Sequence, residues 1–333
     1  MSNKYIFFRT DRIGDFLMSS ILIKAIKRSD KNSHITVVAS KKNFYYIKNF
    51  PYVDETILFP DNYLKKIYFY SKFFFNKFYL ICILDGKKRS IYFSFLTRSK
   101  FKFLFTYKKF YKVIFSFLYN NIFLDSHYVS KIHEINHLLG LLNFKLKPED
   151  FRTITINNSK TFNKCLDFFD KYTLFHFDEK WISGQYIASY KSIEPESAIH
   201  LISFFEQLIL KTGRNLCISS STINNKFYDY FRKNFFKINN SIYQKTYHND
   251  KKIFFLDNLN FAHLQQLILN CELLISCHGA STHVAGSFEK KIIDIFDDSK
   301  KEFYKKWTAH FNNYRFIFRN KFSTLKYKII DML

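Results

Sequence analysis

Seven glycines and four prolines are spread over 333 residues, too few for a collagen-like repeat, a proline-rich linker or a low-complexity tail. Cysteine is as sparse. Cys82, Cys165, Cys217, Cys271 and Cys277 are scattered, odd in number and contain no CxxC pair. That pattern gives neither a disulfide framework nor a zinc ribbon, and it fits a reducing cytoplasm. No apolar run approaches the ~20 residues needed to span a bilayer. Residues 1–4 pass straight into a strand-like segment, which is not the pattern of a signal peptide. Acids are scarce too: 28 Asp and Glu against 52 Lys and Arg leave a formal charge of +24. Such an excess attracts polyanions, whether nucleic acid, anionic headgroups or phosphorylated substrates.

Aromatic residues are what the chain has in plenty. They make up 20% of it within an apolar fraction of 47%, so it is globular rather than disordered. Lysines interleave with Phe and Tyr in "YFYSKFFFNKFYLICIL" and "FKFLFTYKKFYKVIFSFLY". That mixture suits the surface of an anionic membrane, and equally suits ordinary solvated faces. There is no RNP-type strand, zinc finger or arginine-rich arm, so a basic nucleic-acid-binding or membrane-binding protein without catalysis is the weaker alternative and no nucleic-acid partner is expected.

Short apolar runs alternate with amphipathic stretches. Strands are predicted at 5–8, 34–39, 78–84, 173–177, 215–219, 253–255, 273–276 and 291–296. Helices are predicted at 16–28, 130–142, 200–212, 225–234, 261–270 and 283–288. The alternation predicts an α/β protein of two Rossmann-like domains with parallel sheets facing a central cleft. The charged, Asn-rich stretch "KLKPEDFRTITINNSK" marks the boundary, giving domains 1–155 and 156–333, with the last helix packing back on the first domain.

Residues 133–140, HEINHLLG, match HExxHxxG. On a helix His133 and His137 share a face and can bind zinc, with Glu134 as general base of a metalloprotease. Asn143 stands where the extended motif needs a third histidine, and the only methionines are Met1, Met18 and Met332, which leaves no Met-turn downstream. An amphipathic helix closing the first domain is the plainer reading.

Three segments together resemble the family 9 glycosyltransferases, whose best-known members are the lipopolysaccharide heptosyltransferases. They are the strand at 5–8 with "RTDRIGDFLMSSILIKAIK", the segment "FHFDEKW", and "FLDNLNFAHLQQLILNCELLISCHGASTHVAGSFEKKIIDIF". Even "HEINHLLGLLNF" is similar to that family's helix at this point. The resemblance implies a GT-B type fold and inverting transfer without a metal ion or other cofactor. It implies a nucleotide-sugar on the second domain and, on the first, an anionic glycolipid or saccharide acceptor such as lipopolysaccharide. The expected location is the cytoplasm, peripheral to the inner face of the cytoplasmic membrane.

The resemblance implies that Asp15 is the general base, with Asp11, Arg12 and Gly14 beside the substrate and Gly14 allowing a sharp turn. Asp15 can equally cap the helix, and Arg12 can equally face water. Lys180 is the implied partner of the leaving diphosphate, or one of many surface lysines. His278, Gly279, Ala280, Ser281, Thr282 and His283 form a small-residue turn before a helix, a phosphate-binding arrangement; His283 also reads as a structural histidine. Family members carry an acid and Ser/Thr-Gly in this turn, where this chain has His278-Gly279-Ala280. The departure bears on which nucleotide is read and on whether catalysis has been kept.

Overall fold

A computed structural model describes residues 2–124, 129–152, 169–182, 193–220, 224–247 and 250–333. The chain divides into two compact units, Met1–Thr155 with Lys305–Ala309 and Ile156–Tyr304 with His310–Leu333. Residues 155 and 156, where the boundary is expected, lie outside the described residues, as does Cys165.

The first unit is built on β1 (Lys4–Arg9), β2 (His34–Ala39), β3 (Glu55–Leu58), β4 (Lys77–Ile83), β5 (Arg98–Thr106) and β6 (Asn121–Leu124). All pair in parallel in the order β3-β2-β1-β4-β5-β6. Tyr5, Ile6, Phe7 and Phe8 of β1 are fully buried on both faces, as a central parallel strand requires. The connections are α1 (Ile13–Ser29), α2 (Phe44–Lys48), α3 (Tyr63–Phe74), α4 (Lys88–Leu96) and α5 (Lys109–Ile114), and α6 (Lys131–Leu141) follows β6. Strand order reverses between β1 and β4. In an open α/β sheet, that switch point at the carboxyl ends of the strands is where ligands bind.

The second unit contains β7 (Tyr172–Phe177), α7 (Ala198–Thr212), β8 (Asn215–Ser220), α8 (Lys226–Asn234), β9 (Phe236–Lys237), β10 (Ile242–Thr246), β11 (Lys252–Leu256), α9 (Phe261–Asn270), β12 (Leu273–Cys277), α10 (Ala280–Ser287), β13 (Lys291–Phe296), α11 (Lys301–Thr308), β14 (Tyr314–Phe318) and α12 (Phe322–Asp331). Its sheet runs β14-β13-β12-β7-β8-β11-β10-β9. This sheet is parallel except at one edge, where β10 is antiparallel to both β11 and β9, because a short hairpin-like return joins neighbours in the chain. Its switch point lies between β7 and β12.

Phe322, Leu325 and Ile329 of α12 are buried in the second unit's own core, with Phe204 and Phe205 of α7.

Glycine scarcity is met by other residues. Asn143, Asp170, Asp250, Asn258 and Glu289 occupy left-handed backbone positions, which Asn and Asp tolerate through their short polar side chains. Asn and Ser cap the helices: Asn62, Ser130, Ser197, Asn225 and Asn260 each accept a backbone N–H of the first turn, each worth about 1 kcal/mol. No described helix is long and apolar enough to cross a membrane.

Candidate functional site

At the switch point of the first sheet, the residues that follow β1, β2, β3, β4 and β5 line a pocket of about 620 Å³. Arg9, Arg12, Lys41, Lys42, Lys87 and Arg89 bring cations to it, and Asp11, Asp15, Asp61 and Asp85 bring acids. Thr10 is its hub. The Thr10 hydroxyl donates to Asp85 Oδ2 at 2.5 Å and accepts from Lys87 Nζ at 3.0 Å and Arg89 Nη2 at 2.8 Å. Ser90 Oγ and the Lys87 N–H also donate to Asp85. Burial pushes the Asp85 carboxyl up, against the pull of these hydrogen bonds. Gly86 sits at a φ of 58°, and a Cβ there would meet the Phe105 carbonyl oxygen at 2.8 Å. A side chain is therefore excluded on both counts.

Of the four residues predicted in the first domain, Asp11, Arg12 and Asp15 line this pocket and Gly14 does not. Asp11 bridges Arg9 Nη1 at 3.2 Å and Lys87 Nζ at 2.7 Å; it neutralises and positions these cations. Arg12 is exposed at the N-terminus of α1. Asp15 Oδ2 accepts the Arg12 N–H at 3.2 Å, which is the capping interaction. Its other carboxylate oxygen makes no hydrogen bond among the described residues, and Asp15 lines the pocket. Gly14 makes no sharp turn: it lies inside the first turn of α1, outside the positive-φ positions. Thr10, Asp85, Lys87 and Arg89 were missed, because Thr10 and "DGKKR" carry no motif until β1 and β4 are seen to be neighbours.

The HExxH helix does not assemble a zinc site. Glu134 of α6 is buried and pairs with Lys131 Nζ at 2.7 Å, while His133 and His137 are exposed and His137 rests edge-on against Phe123. The general base would thus point into the core, away from the two ligands. Burial pushes the Glu134 carboxyl up and the Lys131 ammonium down. Among the described residues no group of three or more His, Cys, Asp or Glu is arranged for a metal ion.

The second unit gathers its predicted residues at its own switch point. After β7, Asp178 caps a short 3₁₀ turn, Glu179–Trp181, by accepting the Lys180 N–H. Trp181 turns inward, fully buried against Phe175 and Phe177, its Nε1–H donating to the His176 carbonyl at 2.9 Å. Lys180 is thereby thrown to the other side, where Nζ lies 3.0 Å from Asp178 Oδ2. Burial works against its charge, but the Asp178 carboxylate outweighs that and holds the pKa above the usual lysine value.

The ammonium rests against Gly279, where a Cβ would collide with it. Lys180 and the 278–283 turn are therefore one cluster. The turn differs from expectation in where its helix begins: α10 starts at Ala280, so Ala280, Ser281 and Thr282 form its first turn with Gly279 as the N-cap. The Gly279 N–H donates to Thr282 Oγ1 at 3.2 Å, and that hydroxyl donates to Asp294 Oδ1 at 3.1 Å. Ser281, Thr282 and His283 are buried, whereas His278, Gly279 and Ala280 are part-exposed. His283 packs edge-on to His278 and Phe311, and burial holds its pKa well below the ordinary histidine value. It is a neutral, packed side chain.

Asp294 was missed by sequence reading. It is fully buried in β13 amid "KIIDIF" and holds three donors: Thr282, His278 Nδ1 at 2.6 Å and Tyr314 OH at 2.8 Å. An acid inside an otherwise apolar strand was the available signal.

No family model and no curated protein matches the sequence. Solved structures do. The glycosyl transferase family 9 structure from Veillonella parvula DSM 2008 superposes with a TM-score of 0.63 at 14% identity, over 99% of this chain and 88% of that one. The E. coli heptosyltransferase WaaC with ADP gives 0.62 at 9%, over 99% and 100%. The UDP-GlcNAc 2-epimerase from Methanocaldococcus jannaschii gives 0.57 at 11%, over 100% and 92%. At these identities the likeness is one of fold, and this chain has the α/β fold of the GT-B type.

Proposed function

We propose that this chain is an inverting, metal-independent glycosyltransferase that moves a sugar of hexose or heptose size from a nucleotide-sugar to lipopolysaccharide or another anionic surface glycan. The observation that carries the reading is Asp15 in the lining of a cation-rich pocket at the first switch point, with one carboxylate oxygen unbonded among the described residues. A free carboxylate oxygen beside anion-binding side chains suits a base that must receive a proton from a hydroxyl of a charged acceptor. Capping by Oδ2 orients the group and costs the reaction nothing.

In this reading the acceptor oxygen attacks the anomeric carbon while its proton passes to Asp15. The bond from that carbon to the phosphate oxygen breaks, and the electron pair leaves with the nucleoside diphosphate. Lys180, the Gly279–Thr282 turn and its main-chain amides meet the developing charge, the work a metal ion does elsewhere. Structures of the same fold include a protein solved with ADP, which supports a nucleotide on this architecture.

Exposed apolar side chains on α3 and α4 support a peripheral membrane location. Ile67, Phe74, Phe75 and Leu96 line an apolar groove of about 360 Å³, and Lys65, Lys66 and Lys72 lie on the same helix as the first three. Apolar anchors among lysines suit an anionic headgroup layer, where the acceptor lipid resides.

A thermal-shift screen with ADP-, GDP-, UDP- and CMP-sugars, followed by product analysis with anionic glycolipid acceptors, tests the proposal. Stabilisation by one nucleotide class and formation of a glycoside is the expected result, since ligand bound to the folded state raises apparent stability. No binding or hydrolysis across the panel, or release of an epimerised sugar nucleotide without acceptor, overturns it.

A further inference from the structure

His278 has one ring nitrogen, Nδ1, committed to Asp294. Asp294 is fully buried and accepts from three groups. Each of these bonds has a defined direction. The Thr282 hydroxyl already accepts the Gly279 N–H, so its own hydrogen goes to Asp294. With Tyr314 OH donating to the oxygen it shares with His278, the carboxylate is acceptor-only, and His278 Nδ1 carries a hydrogen. Nε2 has no hydrogen bond among the described residues, nor is it one of the sealed polar atoms. The ring packs against Tyr304, with centroids 3.9 Å apart and planes tilted by 39°, and against His283 edge-on at 5.4 Å. A buried carboxylate, a fixed ring and an open nitrogen make up a positioned imidazole.

Its surroundings say what it faces. Gly279, the next residue, carries the Lys180 ammonium against its Cα, and the first turn of α10 begins one residue on. Beyond the Gly279 N–H, which Thr282 takes, the turn offers main-chain amides, and it adds no acid other than Asp294 and Asp178, both already engaged. When Nε2 also carries a hydrogen, the ligand atom that suits it here is an oxygen of an anion.

We propose that His278 is a binding residue that acts as an imidazolium: held by the Asp294 carboxylate through Nδ1–H, it donates a hydrogen bond from Nε2–H to a diphosphate oxygen of the nucleotide donor, with Asp294 as the residue that positions it. This rests on the nucleotide-sugar reading above. The imidazolium adds positive charge where the diphosphate departs. Tyr314 and Thr282 act through Asp294 and touch no ligand.

The test uses side-chain mimicry. His278→Asn places an amide nitrogen near the position of Nδ1, keeps the bond to Asp294 and removes Nε2. Calorimetric titration with ADP, UDP, GDP and inorganic pyrophosphate is run on wild type, His278→Asn and Lys180→Ala. The expected result is that His278→Asn keeps its melting temperature but binds the preferred nucleoside diphosphate about ten- to a hundred-fold more weakly, the range of a charge-assisted hydrogen bond. In ¹⁵N-histidine spectra of the wild-type protein, which need no variant, His278 shows hydrogen on Nδ1 and its Nε2 resonance moves when the diphosphate is added. Asp294→Asn, read in the same spectra, loses that fixed tautomer. Unchanged affinity in His278→Asn alongside weakened binding in Lys180→Ala overturns this inference and leaves the nucleotide-sugar reading standing. Absence of binding by the wild-type protein to every probe overturns both. An Nε2 resonance indifferent to bound diphosphate overturns the inference alone.

Discussion

The Lys180 ammonium stands 3.0 Å from the Asp178 carboxylate and presses on Gly279, so a residue after β7 and one after β12 share one charge site. Removing the cation leaves a buried carboxylate uncompensated and takes charge from the leaving diphosphate. Lys180→Met is expected to lower kcat by roughly 10²–10³, the scale of losing one preorganised electrostatic group. Steady-state kinetics with the preferred nucleotide-sugar measures this; a change confined to KM counts against a role in the transition state.

Gly279→Ala tests the same contact from the opposite side. The backbone there is extended and accepts any residue, so the fold tolerates the methyl. The methyl, however, occupies the space of the ammonium, and Lys180 must swing away. A melting temperature close to wild type with nucleoside diphosphate affinity reduced about ten-fold is expected, comparable to one lost charged hydrogen bond. Wild-type affinity in Gly279→Ala means that Lys180 works from another position.

Asp15 separates its two roles by substitution. Asp15→Asn keeps an oxygen for the Arg12 N–H and so keeps the cap, while losing the base. Transfer is expected to fall by 10²–10⁴-fold, with stability within about 0.5 kcal/mol of wild type. Asp15→Ala loses both, adding a destabilisation of about 1 kcal/mol. Chemical denaturation beside activity assays distinguishes them, and an active Asp15→Asn protein makes Asp15 a cap and nothing more.

What could be read from the sequence followed from the pattern of each region. β2, α9 and β13 fall on their predicted residues, since each is a clean apolar period between polar caps. The stretch from α3 to β6 gave only β4, because Phe and Tyr occupy both faces of its helices and strands. In β5 Lys and Phe alternate with both sides partly exposed, which hides the period of two. Single residues of the site, such as Gly279 and Lys180, were legible where a turn followed a strand. Thr10 and Asp85 were not: each gains its meaning from a neighbour 75 positions away, and pairing across a parallel sheet leaves no local mark. Asp294 left one signal, an acid in an apolar strand, but its partner His278 lies 16 positions away.

The second unit is expected to be acid-sensitive. Burial lowers the pKa of His310 from 6.5 to about 4 and holds that of His283 well below 6.5. A histidine depressed in the folded state stabilises it above the unfolded pKa and loses that contribution as pH falls through the folded one. Stability of this unit should therefore decline between about pH 6.5 and about pH 4. Urea unfolding across that range checks it, with His310→Gln giving a flatter profile. An equal slope in the variant assigns the acid response to other groups.

The apolar groove of α3 and α4 predicts a salt-dependent membrane affinity. Phe75 is 89% exposed and Phe74 49%, close to Lys72, and Phe95 of α4 carries the apolar surface on to Phe117, itself 78% exposed. Insertion of such rings adds apolar transfer energy to the attraction of lysines for anionic headgroups, and only the second part is screened by salt. Sedimentation with phosphatidylglycerol vesicles should show binding that weakens from 50 mM to 500 mM salt, about 5-fold or more in partition coefficient, which is what losing the ~1 kcal/mol of a single surface lysine implies. Phe75→Ser with Phe74→Ser should weaken binding at every salt concentration while leaving the salt dependence in place, because the lysines remain. Equal partitioning of wild type and the double variant would place the contact on another face. Equal partitioning into neutral vesicles would make the basic excess of the chain irrelevant to it.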